Sequence, residues 1–217
     1  MPTGGSMAER LDPIWPTLEF EIELWGQGVL RLAGIDEVGR GALAGPVYAA
    51  AVILPARESI REELAGVRDS KQMTPEEREE WAPLIRQKAV SCSVGWASCK
   101  EIDRWGILPC TLLAARRALQ SLPWLPEHLL LDYIKLEKVD LPQTAMTGGD
   151  ARCLSIAAAS VIAKVARDAQ LRKLDIRFPD YGFASHKGYA TEEHIQAISK
   201  YGPCPQHRLS FAPMRPQ

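Results

Sequence analysis

Two apolar runs separated by a glycine-rich turn constrain the fold of this chain more than any other feature. The runs are Leu30 to Ile35 and Pro46 to Leu54, and both contain β-branched residues. Between them lie Gly39-Arg40-Gly41 and Gly45, which are typical of a turn. The pattern predicts two buried strands joined by a hairpin-like connection.

Acidic residues stand where buried segments end. Asp36 and Glu37 close the first predicted strand, Asp132 follows three leucines in the same way, and Asp150 immediately precedes a long helical pattern. Buried charges are unfavourable unless they pair with cations or face a cleft. Carboxylates are the ligands that Mg²⁺ prefers, and two such ions about 3.5 to 4 Å apart can activate water and stabilise the leaving oxygen of a phosphodiester. The four acids therefore predict a nuclease-like site.

Each of these acids also has a purely structural interpretation. An aspartate before a helix is most often an N-cap, which is the simpler interpretation of Asp150 taken alone. A strand-end aspartate such as Asp132 is as common at the start of a turn as at a metal site. The Asp36-Glu37 pair favours the functional interpretation, because Val38-Gly39-Arg40-Gly41 follows it, and a loop of small residues with an arginine admits a phosphate backbone.

The remaining pattern alternates helices and strands. Thr74-Pro75-Glu76-Glu77 and Ser98 to Glu101 are capping boxes, and each predicts a helix start. We expect helices at 75–88, 109–122 and 151–178, strands at 89–97 and 127–134, and a short helix that Thr191 caps and Gly202-Pro203 closes. Residues 1–28 are expected to form an N-terminal arm with an edge strand or short helix near Leu18 to Leu24. The catalytic domain would span residues 29–217.

Composition favours a single domain with reduced cysteines and disfavours a membrane-spanning protein. The 217 residues suit one domain, and a net charge of −1 gives no overall sign of nucleic-acid binding, so any such binding must come from local clusters. The five cysteines are an odd number without C-x-x-C spacing, which predicts reduced thiols in a cytoplasmic protein. No apolar run approaches membrane-spanning length.

Basic and aromatic residues accompany the acids. The candidate phosphate-binding cations are Arg40, Lys71, Lys164, Arg167, His186 and Lys187. Tyr189, which lies between Gly188 and Ala190, is a candidate for stacking on a sugar or base, whereas Phe183 is expected to pack internally. Histidines 128, 194 and 207 lack zinc spacing and are expected to be structural.

Successive motifs along the chain resemble those of one known family, ribonuclease HII (type 2 ribonuclease H). The resemblance covers residues 30 to 214 in order. Its motifs are Gly34-Ile35-Asp36-Glu37-Val38-Gly39-Arg40-Gly41, Asp69-Ser70-Lys71, Gly149-Asp150, Ser155 to Asp168, Tyr181-Gly182-Phe183, His186-Lys187-Gly188-Tyr189, and Tyr201-Gly202-Pro203-Cys204-Pro205 with His207-Arg208 and Ser210-Phe211-Ala212-Pro213.

The resemblance implies an α/β ribonuclease H-like fold, with a central mixed β-sheet flanked by helices and a small helical C-terminal extension at about 179–217. It implies that Asp36, Glu37, Asp132 and Asp150 are catalytic ligands of two divalent ions, Mn²⁺ or Mg²⁺. Gly39, Arg40 and Gly41 would read the 2′-hydroxyl at an RNA–DNA junction, with Tyr189 stacked beside it. The implied reaction is hydrolysis of RNA in RNA/DNA hybrids, and cutting 5′ of ribonucleotides embedded in DNA.

Two further expectations concern partners and departures from the family. We expect a cytoplasmic monomer that binds nucleic acid and no membrane, and Met214 to Gln217 shows no clamp-binding peptide. After Asp132 this chain has Tyr133 where many relatives have glycine. Three alternatives stay open. Ribonuclease HIII resembles a longer chain with an extra N-terminal domain, and the about 30 residues that precede the predicted catalytic domain are too few to form it. A silent hybrid-binding module is disfavoured by the four carboxylates, and a resolvase-like DNA nuclease is disfavoured by the candidate 2′-hydroxyl reader.

Overall fold

A five-stranded mixed sheet forms the centre of the structure, a computed structural model that describes residues 15–214. The strands are β1 (Leu32–Val38), β2 (Val47–Ile53), β3 (Ser91–Ala97), β4 (His128–Asp132) and β5 (Gln143–Met146). They lie in the order β3-β2-β1-β4-β5. The β1–β2 and β2–β3 pairs are antiparallel, and the β1–β4 and β4–β5 pairs are parallel. The predicted hairpin and mixed sheet are confirmed.

Helices cover both faces of this sheet. They are α1 (Glu19–Gly26), α2 (Ile60–Glu63), α3 (Pro75–Lys88), α4 (Cys99–Trp105), α5 (Ile107–Gln120), α6 (Gly149–Arg152), α7 (Leu154–Arg177), α8 (Phe183–His186) and α9 (Glu192–Tyr201). Short 3₁₀ helices span Ser70–Gln72 and Pro179–Tyr181. Alternate residues of β2 point to the two sides: Ala50 and Val52 pack with α7, and Ala49 and Ala51 pack with α5. The expected α/β architecture is confirmed.

The long helix α7 approaches the sheet closely because its contact face is made of small residues. Ala157, Ala158 and Ala159 are fully buried. On the opposing strand, a Cβ added to Gly34 would lie 2.2 Å from the backbone carbon of Ser155. Only glycine therefore fits at position 34, and α7 is held directly against β1.

The predicted caps at Thr74, Ser98 and Thr191 all form, whereas two predicted helices begin at residues other than those expected. The capping boxes of Thr74 with Glu77 and of Ser98 with Glu101 form with both reciprocal hydrogen bonds. The helix expected from Pro109 begins two residues earlier, at Ile107. Its N-cap is Gly106, whose positive φ of 85° separates it from the preceding helix α4. The helix expected from residue 151 is split into α6 and α7.

Strand β5 was missed in the sequence pattern. Its residues, Gln143 to Met146, are mostly polar or small and show no apolar alternation. It lies at the sheet edge and is specified by its parallel pairing with β4, in which Asp132 is opposite Met146. Pairing across the sheet, rather than local propensity, determines this strand.

Part of the predicted N-terminal arm is a packed helix in the described residues. Thr17 pairs with Cys153 in an isolated bridge, and the buried Glu21 of α1 accepts hydrogen bonds from the Ser155 backbone (2.8 Å) and hydroxyl (2.7 Å). Residues 15–28 therefore pack against the start of α7. Residues 1–14 and 215–217 lie outside the described residues.

The C-terminal segment packs on the second half of α7. Tyr181, Phe183 and Cys204 form an apolar cluster with Leu171 and Leu174. Beyond α9 the chain returns towards the turn that follows β1, where the Arg208 backbone N–H donates to the Leu43 carbonyl at 2.8 Å. The expected helical C-terminal extension is thus present and reaches back to the glycine-rich turn.

Candidate active site

Strand register brings the first acids together. In the parallel β1–β4 pair Ile35 is opposite Leu131, so Asp36 and Asp132 come next to each other in the two strands. Because β1, β4 and β5 are parallel, their carboxyl ends share one edge of the sheet, which is where parallel sheets commonly hold their sites. Glu37 follows on β1 and lines a small cavity together with Asp132.

Asp150 reaches the same edge from the turn after β5. The Gly149 backbone N–H donates to Oδ1 of Asp132 at 2.8 Å, and the Tyr133 backbone N–H donates to the Met146 carbonyl at 2.9 Å. The N-cap of α6 is Gly148, with φ 66°, and Asp150 is the second helical residue. The N-cap interpretation of Asp150 is therefore wrong, and its carboxylate is free to interact across the site.

Burial and mutual repulsion raise the pKa values of the acids at the site. Only 5% of Asp36 is exposed. Burial raises its pKa well above its ordinary value of 3.8, and the like charges of Glu37, Asp150 and Asp132 raise it further. Burial also raises the pKa values of Glu37 and Asp132. Such an assembly of mutually repelling carboxyls is typical of a functional site.

Two cations lie against the acids. Lys71 Nζ is 2.9 Å from Oδ2 of Asp150, and Arg40 Nη1 is 3.2 Å from Oε1 of Glu37. Lys71 is presented by the 3₁₀ helix Ser70–Gln72, whose N-cap Asp69 accepts from the Lys71 backbone N–H at 2.9 Å. The hydroxyl of Ser160 donates to that of Ser70 at 2.7 Å and so fixes this turn on α7. Both cations were predicted to bind substrate, and both are at the site.

The carboxylates do not enclose a ready-made metal site. Among residues 15–214, no three His, Cys, Asp or Glu side chains are arranged as a complete metal-binding group. Mg²⁺ keeps several waters and commonly takes one or two carboxylates together with substrate phosphates. The donor set therefore fits a hard divalent ion whose remaining ligands come from water and substrate, and Lys71 occupies one side of Asp150.

A buried arginine holds the glycine-rich turn in place. Arg208 is fully buried and donates to the carbonyls of Gly39 (2.7 Å), Arg40 (2.8 Å) and Gly45 (2.8 and 3.0 Å). Gly39 itself has a φ of 93°, which favours glycine. These hydrogen bonds hold the backbone of the turn at Gly39, Arg40 and Gly45 in one conformation.

A second buried arginine, Arg167 on α7, supports the far end of this turn. Its Nη2 donates to the Ala44 carbonyl at 3.2 Å and its Nε to the Pro46 carbonyl at 3.1 Å. The guanidinium lies 5.3 Å from the ring centroid of Tyr189, a cation–π contact. Arg167 therefore links the predicted stacking residue Tyr189 to the Ala44–Pro46 end of the glycine-rich turn.

Comparison of the chain with known protein families agrees with this arrangement of site residues. The family model described as Ribonuclease HII matches residues 33–214. The chain belongs to the ribonuclease HII family. It is 51% identical over 202 residues to the ribonuclease HII of a Synechococcus strain, covering 93% of this chain and 90% of that one. As a member of the ribonuclease HII family it is a hydrolytic nuclease.

Solved structures agree with the ribonuclease HII assignment. The ribonuclease H2 of Pyrococcus horikoshii superposes with a TM-score of 0.73 at 26% identity, covering 85% of this chain and 95% of that one. The RNase HII in the PCNA complex from Archaeoglobus fulgidus gives 0.70 at 27% identity, covering 87% and 98%. The expected ribonuclease H-like fold is confirmed.

Besides the buried Arg167, three of the predicted phosphate contacts are engaged in internal bonds in this chain. Lys164 Nζ donates to Oδ1 of Asp168 at 2.8 Å. His186 uses both ring nitrogens, Nε2 with the Tyr181 carbonyl (2.7 Å) and Nδ1 with the Gly188 backbone N–H (3.1 Å). Lys187 Nζ donates to the Ala184 carbonyl. Substrate contact by these three residues stays a prediction.

Two histidines link the C-terminal extension to Tyr189. His207 Nδ1 accepts from the Cys204 backbone N–H at 2.9 Å, and the Nε2 atoms of His207 and His194 are 3.1 Å apart. His194 Nδ1 lies 2.8 Å from the Tyr189 carbonyl. One consistent assignment has each ring neutral, with His207 donating to His194 and His194 donating to Tyr189. Both rings are buried, in agreement with the expected structural role.

Sequence reasoning missed the supporting role of Arg208, although the residue stands in a recognised motif. Arg167 was predicted to bind phosphate, but it is fully buried and donates to the carbonyls of Ala44 and Pro46. Nothing in the local sequence distinguishes a buried arginine from an exposed one, since the partners of Arg167 and Arg208 lie more than a hundred residues away in the chain.

The five cysteines are all unpaired. Within the described part of the chain, no helix has the length and apolar character needed to cross a membrane.

Proposed function

We propose that this chain is an endoribonuclease that hydrolyses the RNA strand of RNA/DNA hybrids and cuts 5′ of ribonucleotides embedded in duplex DNA. The products would carry 3′-hydroxyl and 5′-phosphate ends. Such an activity serves ribonucleotide excision and the removal of RNA primers. We further propose that the protein acts as a cytoplasmic monomer, with Mg²⁺ or Mn²⁺ as cofactor.

The observation that carries the proposal is the convergence of four carboxylates, from three segments of the chain, on one sheet edge. Asp36, Glu37, Asp132 and Asp150 would hold two divalent ions, which when bound supply a nucleophilic hydroxide and stabilise the leaving oxygen. Asp132 is kept in position by the Gly149 backbone N–H. Lys71 is placed to leave Asp150 and contact a substrate phosphate, because its side chain is largely exposed.

Recognition of the ribonucleotide is proposed for the turn at Gly39, Arg40 and Gly41. The 2′-hydroxyl is the group that distinguishes RNA from DNA, and it both donates and accepts hydrogen bonds. A turn whose carbonyls are fixed by Arg208 presents its remaining backbone groups in a constant geometry. Tyr189, half-buried over Arg167, would stack beside the sugar. Lys164, His186 and Lys187 are proposed to line the path of the duplex.

Cleavage of labelled duplexes tests this function. We expect a metal-dependent cut 5′ of a single ribonucleotide in DNA with Mg²⁺ or Mn²⁺, none with EDTA and none in an all-DNA duplex. Cutting only a long RNA/DNA hybrid would favour the ribonuclease HIII alternative. Cutting of all-DNA would favour a resolvase-like nuclease, and binding without cutting a silent module.

An aspartate variant tests the site itself. Asp150→Asn should retain the fold, because Asp150 makes no helix-capping bond, yet lose most metal-dependent turnover. Asp140→Asn, in an exposed loop, is the matched control and should cut at the wild-type rate. Near-normal activity of Asp150→Asn would remove this residue from the proposed site.

A further inference from the structure

We propose that Tyr133 is a substrate-contacting residue, whose ring stacks on a nucleotide beside the scissile phosphate. The proposal rests on the proposed function and adds to it a residue specific to this chain. Tyr133 directly follows Asp132. It is 68% exposed, so its ring is available to a ligand at the edge of the sheet.

The backbone at Tyr133 has an unfavourable conformation. Its φ is 62°, in the left-handed region that suits glycine, and the Ile134 backbone N–H donates to the Asp132 carbonyl at 2.8 Å. A three-residue turn with this hydrogen bond and positive φ at its centre is rare and strained. A bulky residue there is therefore under strain that glycine would relieve, and strain of this kind concentrates at functional sites.

The surroundings keep the ring at the site. On one side, the Tyr133 backbone N–H is bonded to the Met146 carbonyl at 2.9 Å. On the other side, Leu136 is buried, and its N–H and carbonyl both bond to the Gln143 side chain at 2.9 and 3.0 Å. The backbone on both sides of Tyr133 is thus anchored, so the residue that carries the exposed ring is fixed directly after Asp132 in the chain.

Exposure or strain alone does not single out Tyr133. Leu125 and Ile176 are more exposed, at 74% and 83%, but Leu125 precedes the amino end of β4 and Ile176 ends α7. Lys138 has the same φ of 62° but no aromatic ring and no neighbouring site acid. Tyr133 combines a strained backbone, an exposed ring and a place next to the carboxylates.

An aromatic ring in this position suits one ligand chemistry. Every nucleobase has a π-face, and stacking on an exposed aromatic side chain is a general way of holding an unpaired or distorted nucleotide. Stacking needs no phenol hydroxyl, so phenylalanine should replace tyrosine. It also depends little on salt, unlike phosphate contacts, which release counterions.

Three variants of the full chain test the proposal in cleavage of a duplex with one ribonucleotide. Tyr133→Gly should have a higher unfolding midpoint than wild type, because the strain is relieved, yet lose kcat/KM by about 5- to 150-fold, the loss expected for one stack. That loss should be the same at low and high salt. Tyr133→Phe should stay within about twofold of wild type. Lys138→Gly, which relieves the same strain without removing a ring, should be stabilised and should retain its activity at high salt.

The outcomes separate this proposal from the proposed function. A Tyr133→Gly variant that cuts as fast as an active wild type overturns the role of Tyr133 and leaves the proposed function intact. A loss in Tyr133→Phe equal to that in Tyr133→Gly overturns stacking, since the hydroxyl would then be the contact. A wild-type chain that neither binds nor cuts the duplex overturns both.

Discussion

Lys71 and Asp150, 79 positions apart in the chain, form an ion pair with Nζ 2.9 Å from Oδ2. Burial by itself lowers the pKa of Lys71, but the hydrogen bond and charge of Asp150 raise it above its ordinary value. The ammonium therefore stays charged at neutral pH and neutralises one of the site acids. A metal ion bound at Asp150, as in the proposed function, would compete with this lysine.

This competition leads to a prediction for Lys71→Met. Removing the ammonium should tighten the binding of Mn²⁺ to the substrate-free protein, because Asp150 loses its internal partner. It should also weaken duplex binding and reduce the slope of log K against log salt by about 0.9, the value for one phosphate contact in B-DNA. Titration calorimetry with Mn²⁺ and salt-dependent binding measure the two effects.

The matched control is Lys173→Met, which removes an exposed lysine towards the other end of α7. It should leave Mn²⁺ affinity unchanged. Weaker Mn²⁺ binding in Lys71→Met would mean that the lysine assists the metal instead of competing with it.

Asp36→Asn should stabilise the metal-free protein while abolishing cleavage. The pKa of Asp36 is raised in the folded state, so the folded form holds the proton more tightly than the unfolded one. The resulting destabilisation is absent below the ordinary pKa near 3.8 and grows as pH rises towards the raised pKa. At pH 7 the gain should be about 0.5–2 kcal/mol, a range common for relief of a destabilised site.

Denaturant unfolding of wild type and Asp36→Asn in EDTA, at pH 7 and at pH 3.5, measures this gain in stability. The difference between Asp36→Asn and wild type should be present at pH 7 and shrink at pH 3.5. A variant less stable than wild type at pH 7 would show that the carboxylate is compensated in the folded protein.

Arg208→Lys should destabilise the protein and impair ribonucleotide recognition. A single ammonium cannot serve the carbonyls of Gly39, Arg40 and Gly45 together, and each buried carbonyl left without a donor costs about 1–3 kcal/mol. With the turn released, KM for a duplex with one ribonucleotide should rise more than kcat falls. Urea unfolding and steady-state cleavage measure the two effects.

Arg172→Lys is the comparison for Arg208→Lys, because Arg172 forms an exposed pair with Glu79. Its stability should change by about 0–1 kcal/mol. Equal effects of the two substitutions would show that Arg208 does not fix the turn.

Stability should fall as pH drops from about 6.5 to about 4, and His194 should account for part of the loss. Burial lowers the pKa of His194 to about 4, and it also lowers that of His207, so both rings stay neutral in the folded protein. The stabilisation is complete above the unfolded pKa near 6.5 and is lost as pH falls towards the folded value, at about 1.4 kcal/mol per pH unit for each proton.

Comparing wild type with His194→Gln isolates this contribution. The variant should be less stable at pH 7, since the bonds to His207 and Tyr189 are altered, but its stability should depend less on pH between 4 and 6.5. Parallel pH curves for the two proteins would mean that His194 is already charged in the folded state.

Local sequence determined the elements whose signals are short-range. The capping boxes at Thr74 and Ser98 place two helix starts, since each involves a hydroxyl and a glutamate three residues apart. The apolar runs on either side of the glycine-rich turn specify the β1–β2 hairpin. The order of the motifs, from Asp36-Glu37 to the C-terminal residues, is enough to place the chain in the ribonuclease HII family.

Tertiary structure decided what depends on residues far apart in the chain. Whether Asp150 caps a helix or faces the site is set by the turn after β5, a strand that forms only because β4 lies beside it. Arg208 and Arg167 become supports of the turn only when burial removes water and leaves backbone carbonyls as their acceptors. Sequence thus specifies which groups are present and the local elements that carry them, whereas burial and register decide which groups meet.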